Sequence, residues 1–177
     1  MQRRQPSPSL WLMTDERMGE RLWTALDRLP RGGGVVFRHY GLEAGARRAL
    51  FAEVRKIARR RGLVLLLAGS DGQARAWRAD GSHNRDRLRQ RGGLRSAPVH
   101  SLLELARHRN ATLFFVSPLY PTRSHPDTRP LGAIRFASIA RRARGTVVAL
   151  GGMDSKRGRN ATALGADGWA AIDAWSS

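Results

Sequence analysis

The stretch FFVSPLYPTRSHP, Phe114–Pro126, ends a run of β-formers at Ser117 and enters a loop carrying Thr122, Arg123, Ser124 and His125. Pro118, Pro121 and Pro126 lower the entropy cost of arranging that loop, and its hydroxyls can donate to an oxyanion. A strand that stops at a stiff polar loop presents something to a ligand, or else simply caps its strand. Two further places have residue types suited to chemistry. His100, in VHSLLELA, carries an imidazole of the class that moves protons near neutrality; beside Ser101 it can equally cap the helix that follows. Gly151 and Gly152 follow an apolar run, where amides without a Cβ can approach an anion, although two glycines after a strand also make an ordinary turn. The chain has no cysteine, which excludes disulfides, thiolate metal sites and thiol nucleophiles and leaves carboxylates and five histidines.

The elements that must hold these residues alternate. LWLMT (10–14) reads as a strand and 18–29 as a helix, with Met18, Leu22, Ala25, Leu26 and Leu29 at helical spacing. GGGVVFRHY (32–40) is a second strand, and 43–62 a long amphipathic helix closed by Gly62. LVLLLAG (63–69), GSHN (81–84), LRSAPVH (94–100), TLFFVSP (112–118), TVVALGG (146–152) and GWAAIDA (168–174) supply six more strands. Helices are expected over 70–80, 101–109 and 134–144, and a poor helix or loop over 85–93. Continuous apolar strands separated by helix-length connectors indicate parallel strands buried on both faces. Eight of them indicate a compact α/β architecture, a (β/α)8 TIM barrel lacking most of its last helix. An open doubly wound sheet would usually carry a glycine-rich phosphate turn after its first strand, where this chain reads MTDERMGE. The expected organisation is a disordered arm over 1–9 and one barrel domain over 10–177.

The formal charge of +18 calls for an anionic partner. Only Lys56 and Lys156 are lysines, and the arginines are spread along the chain without stacking motifs, so nucleic acid is not the expected partner. No apolar run reaches the roughly 20 residues of a membrane span and the N-terminus has no signal-peptide core, which places the protein in the cytoplasm with no membrane partner. His39 and His108 read as solvated positions, His83 as a packing or hydrogen-bonding residue, and the five tryptophans as core or barrel-surface residues.

In a barrel the active site lies at the carboxyl ends of the strands. Taken in order, LWLMTD, GGVVFRHY, ADGSH, SAPVHSLLELA, SPLYPTRSHP, ALGGM and GADGWAAIDA resemble the motifs of the thiamine-phosphate synthase and TenI family over residues 10–175. The resemblance implies a cytosolic barrel that binds a phosphorylated thiazole and, in the synthases, an aminopyrimidine pyrophosphate with Mg2+. It implies that Thr122, Ser124, His125, Gly151, Gly152, Ile172 and Asp173 lie at the phosphate, that Arg38 contacts pyrophosphate and takes part in catalysis, and that His100 is the catalytic proton-transfer group of a tautomerase.

The chain departs from the family pattern at informative places. Of the pyrophosphate-binding trio only Arg38 remains; Val36 and Tyr40 stand where the family has glutamine and lysine. Ala68 and Gly69 occupy the positions of an asparagine and a metal-binding aspartate, so a magnesium ion would have to be held by Asp71 or Asp86 after a shift in position. Pro98 replaces a serine, His125 a lysine and Asp173 a serine. A carboxylate at 173 would repel a phosphate unless an arginine intervenes. Three functions follow: a synthase joining pyrimidine to thiazole phosphate, a thiazole-phosphate tautomerase, or a barrel that binds a phosphorylated ligand without turnover. An anion-binding role of the +18 surface stands apart from these. A trimmed last helix would leave a barrel flank that a second copy could cover.

Overall fold

The computed structural model describes residues 7–84, 94–122 and 127–175. Eight parallel strands close into a barrel in the order β1 to β8, with β8 pairing back onto β1. They are β1 Leu10–Met13, β2 Gly34–Phe37, β3 Val64–Ala68, β4 Gly81–His83, β5 Leu94–Val99, β6 Leu113–Val116, β7 Thr146–Leu150 and β8 Gly168–Ala171. The outer helices are α1 Arg21–Arg28, α2 Ala44–Arg61, α3 Asp71–Ala76, α4 Leu102–Arg107, α5 Gly132–Ala140 and α6 Ser155–Ala163, with a short 3₁₀ turn at Glu16–Met18. The (β/α)8 architecture expected from the strand count is therefore present. The stretch 85–93 lies outside the described residues, and after β8 the described chain turns through Asp173 to Trp175.

Strand alternation sorts the core into an inside and an outside. Trp11, Met13, Val36, Leu66, Ala68, Leu113, Phe115, Val148 and Ala170 form the cluster that fills the barrel. Two further clusters lie between the strands and the helices. Trp11 is the largest interior side chain, and it fits because Gly34 on the neighbouring strand has none: a Cβ there would overlap the indole. The edge of Trp11 also meets Phe115 across the barrel, with ring centroids 5.3 Å apart.

Long α2 forms because Arg47, Phe51, Val54 and Ala58 fall on one face and are buried against β2 and β3. Glu43 accepts from the Gly45 amide at its start, and Gly62, left-handed at φ 65°, ends it. Short α3 is capped by Ser70, α4 by Ser101 and α6 by Asp154. Helix α6 was not among the expected elements. It buries only Gly158 and Ala161, and the Gly158 position lies directly against the Trp169 indole.

Residues 7–9, expected to belong to a disordered arm, are packed against the barrel. The Pro8 carbonyl accepts from Trp11 Nε1 at 2.7 Å, and the Ser9 carbonyl accepts from the Trp169 amide at 2.8 Å. Residues 1–6 lie outside the described chain. At the other end, Trp175 stacks on Trp169 and donates from Nε1 to the Trp11 carbonyl, so both ends of the described chain meet at β1 and β8.

Candidate functional site

The carboxyl ends of the strands carry two groups of polar residues on different sides of the barrel mouth. The first lies at β5, β6 and β7. His100 follows β5, and its Nδ1 is 2.7 Å from the Ser117 carbonyl at the end of β6. A carbonyl only accepts, so Nδ1 carries the proton and Nε2 keeps its lone pair. Glu104 fixes the same corner: its carboxylate accepts from the His100 amide at 2.8 Å, while its own amide donates to the Ser101 hydroxyl. His100 therefore sits just ahead of the α4 cap, which is Ser101, with its ring exposed toward the mouth.

The loop after β6 is laid against the exit of β7. The Leu119 amide donates to Leu150 O at 2.9 Å and the Tyr120 amide to Gly151 O at 3.2 Å. This closeness requires glycine: Gly151 and Gly152 have φ of 95° and 62°, and a Cβ at Gly151 would lie 2.6 Å from Pro118 Cβ. At Gly152 it would meet the Pro121 carbonyl and Tyr120. Among the described residues neither glycine amide has an acceptor, so both can donate to an anion placed between the two loops. Arg157, in the first turn of α6, holds the Gly152 carbonyl and lies over the Tyr120 ring at 5.0 Å. Thr122 is half-buried at the far end of this loop and already has a partner. Ser124 and His125 lie outside the described residues.

The second group lies at β1, β2 and β8. Arg17 grips Asp15 through two hydrogen bonds, 2.7 Å and 2.9 Å, and Arg38 reaches the same carboxylate at 3.1 Å. Arg38 also donates from Nε to the Thr14 carbonyl at 2.7 Å. Its guanidinium thus faces Asp15 and β1, held by internal partners. The Arg17 hydrogen bond holds the Asp15 carboxyl at about 2, against the opposing effect of burial, with Arg38 adding to the lowering. Burial lowers the Arg38 pKa, and Asp15 opposes that. Asp173 is exposed just after β8 and lies within electrostatic reach of Arg17, which is thus the arginine placed to offset its charge. Ile172 is half-buried against the barrel interior.

Two histidines differ from the sequence reading. His39 is not solvated: it is 4 % exposed and stacks on Phe37 at 4.8 Å, and its Nδ1 lies 2.9 Å from the Thr14 hydroxyl. Burial lowers its pKa. His108 is 6 % exposed at the end of α4. Each has a charged neighbour in sequence, Arg38 or Arg107, that suggests solvent, whereas the turn of the chain buries the ring. At His39 that turn is a left-handed residue of φ 36°. His83 fills the packing role expected of it, with Nδ1 2.8 Å from the Ser96 hydroxyl and its ring edge-on to Phe115.

Arg47 was not singled out in the sequence. Its guanidinium donates to the carbonyls of Arg38, just past β2, and of Ala68, the last residue of β3, and lies within 6 Å of the Phe37, Tyr40 and Trp77 rings. Its place on the apolar stripe of α2 was the available signal. This arrangement bears on magnesium, which needs several converging oxygens. The Ala68 carbonyl is taken by Arg47, Ala68 and Gly69 bring no side-chain oxygen, and Asp15 is engaged by two guanidiniums. Asp71 accepts a hydrogen bond from Ser82 on the outer face of β4, between α3 and the barrel, and Asp86 lies outside the described residues. Among the described residues no three His, Asp or Glu side chains come together as a metal would require, so the described donors do not by themselves fit a magnesium site.

Residues 93–175 match the sequence model of a family described as thiamine monophosphate synthase. No curated protein matches the chain. Among solved structures, the chain is similar to a thiamine phosphate pyrophosphorylase from Pyrococcus furiosus, at 22 % identity and a TM-score of 0.78, over 97 % of this chain and 89 % of that one. A thiamine phosphate pyrophosphorylase from Bacteroides thetaiotaomicron matches at 18 % identity and a TM-score of 0.61, over 93 % of this chain and 83 % of the other. A structure described as native KDPGal matches at 10 % identity and 0.62, over 97 % and 85 %. At these identities the structural likenesses speak for the fold, and the sequence match over 93–175 spans a little under half of the chain.

Proposed function

We propose that the chain is a member of the thiamine-phosphate synthase and TenI family, a reading supported by the sequence match over residues 93–175, and that it binds a phosphorylated thiazole at the β5–β7 side of the mouth and moves a proton on it. The observation that carries this reading is the His100 Nδ1–H hydrogen bond to the Ser117 carbonyl, which leaves Nε2 as a base at the strand ends. The thiazole phosphate would accept from the amides of Gly151 and Gly152, with Thr122 and, by the family resemblance, Ser124 and His125 as further phosphate contacts and Ile172 against its apolar edge. His100 would take a proton from one ring position and return one at another, so the product has the composition of the substrate. Glu104 and Ser117 act as positioning residues, since both set the ring through the backbone or Nδ1.

The synthase reading keeps one observation in its favour, the retained Arg38, and the family description itself. It asks for cationic stabilisation of a departing pyrophosphate, and the loss of a single such donor costs about 10²-fold or more. Arg38 would have to leave Asp15 and Thr14 to serve. A barrel that binds thiazole phosphate without turnover would share the phosphate grip and lack only the role of His100.

The test is a thermal-shift titration with thiazole phosphate carboxylate, thiamine phosphate and pyrophosphate, each with magnesium and with chelator, followed by turnover assays. A ligand at about 100 times its Kd adds about 2.7 kcal/mol and raises the melting point by several degrees. Stabilisation by the thiazole compound in chelator is the expected result, with isomerisation falling about 10²- to 10⁴-fold in His100→Gln while binding persists. Stabilisation by pyrophosphate or thiamine phosphate only with magnesium would establish the synthase instead. Binding without isomerisation in the unaltered protein would leave the non-catalytic barrel.

A further inference from the structure

A second place on the molecule has the make-up of a ligand site and lies on the outer wall, between α2 and the end of α3. Arg48, Ala52 and Arg55 stand at i, i+4 and i+7 on one stripe of α2, facing Ala76, Trp77 and Arg78. Together they line a cavity of about 320 Å³, within the size range of small-molecule pockets. The two alanines make the room and the three arginines surround it.

The charge in this hollow is not balanced from within the protein. Among the described residues Arg48, Arg55 and Arg78 have no carboxylate partner: Glu53 pairs with Lys56, Asp27 with Arg61, and Asp80 accepts from the Leu65 amide. Arg55 instead leans on the Trp77 carbonyl at 3.3 Å. Arg78 has a left-handed backbone, φ 58°, at a helix end where glycine is the usual residue. The strained conformation places a guanidinium where glycine would give an easier turn. Trp77 is half-buried, braced by Phe51 and by Arg47, so its ring is a fixed apolar wall.

We propose that this hollow binds a small phosphate ester carrying a planar ring, of mononucleotide size. The phosphate meets Arg48 and Arg78, and the ring lies against Trp77. This site is independent of the one proposed at the mouth.

Titrating the full-length, isotope-labelled protein with AMP while following its five tryptophan indole N–H signals tests the proposal. The one signal missing in Trp77→Phe should move saturably, and ribose 5-phosphate, which lacks the base, should bind more weakly. Arg48→Ala and Arg78→Gly should each weaken AMP about tenfold, with a larger loss in the double variant. Glycine suits the left-handed position, so Arg78→Gly should keep the melting temperature. The proposal is overturned if all the indole signals drift together, if AMP binds the double variant as well as the parent, or if no signal moves at millimolar AMP. It is also overturned if a short oligonucleotide displaces AMP and depends on the same arginines, which would make the hollow part of a nucleic-acid track.

Discussion

The Asp15 carboxylate carries a pH dependence that can be worked out from its partners. Its folded pKa of about 2 lies below the ordinary 3.8, because Arg17 and then Arg38 favour the ionised form. A depressed carboxylate stabilises the fold above its unfolded pKa, and that contribution is lost as pH falls from about 4 toward 2. The full shift corresponds to about 2.4 kcal/mol; screening at the partly solvated rim reduces it to about 1–2 kcal/mol. Urea midpoints measured from pH 5 to pH 2 should therefore fall less steeply in Asp15→Asn than in the parent; parallel curves would show that the Arg17 clamp adds no stability. His39 adds a second window. Its burial favours the neutral ring, so its contribution is present above about pH 6.5 and is lost as pH drops through its lowered folded pKa. His39→Gln should flatten the stability profile as pH falls below about 6.5. The sequence shows Asp15 directly after the first strand, but it could not reveal that Arg38 spends its guanidinium there. A one-dimensional motif records which side chain follows a strand, whereas the partner is set by how the next loop folds over it.

Element by element, legibility followed the size of the buried side chains. Helix α2 was readable nearly to the residue because its buried stripe has helical spacing and Gly62 ends it. Helix α6 buries Gly158 and Ala161, which leave no hydrophobic period in SKRGRNATA, and its only legible mark is Asp154 at the cap. The strands were legible as apolar runs, yet nothing in those runs told that Trp11 points inward over Gly34. That pair predicts a mutational outcome. Gly34→Ala should destabilise the barrel by about 1–3 kcal/mol, because the interior has no slack for a methyl group at the indole. Trp11→Leu in the same chain should recover part of the loss, and a double-mutant cycle on urea unfolding would measure the coupling. Additive effects would place the cost of Gly34→Ala in the strand backbone instead of in the packing.

For the molecule as a whole, 32 lysines and arginines face 14 acidic residues, and the excess must be carried by the surface. The described ion pairs occupy few of the arginines: Asp15 takes two, and Asp27, Glu53 and Asp154 take one basic residue each. Like charge at this density repels itself in the compact state more than in the expanded chain, so the fold is destabilised by its own field. Added sodium chloride screens that repulsion over a Debye length of about 10 Å at 0.1 M and about 3 Å at 1 M. The melting temperature should therefore rise by a few degrees with sodium chloride, most of it at the low end of the range, where screening changes fastest. Sodium chloride is the salt to use because sulfate also strengthens apolar burial and would add a second cause. The same titration separates general attraction from a built site. Binding of a thiazole phosphate held by the Gly151 and Gly152 amides should weaken only modestly as salt rises, since those donors are fixed and close. Binding of duplex DNA to the surface field should fall linearly on a log–log plot, with a slope that counts the phosphates engaged. A thiazole phosphate with that same steep slope would mean that the dispersed arginines, and not the strand-end loops, hold it.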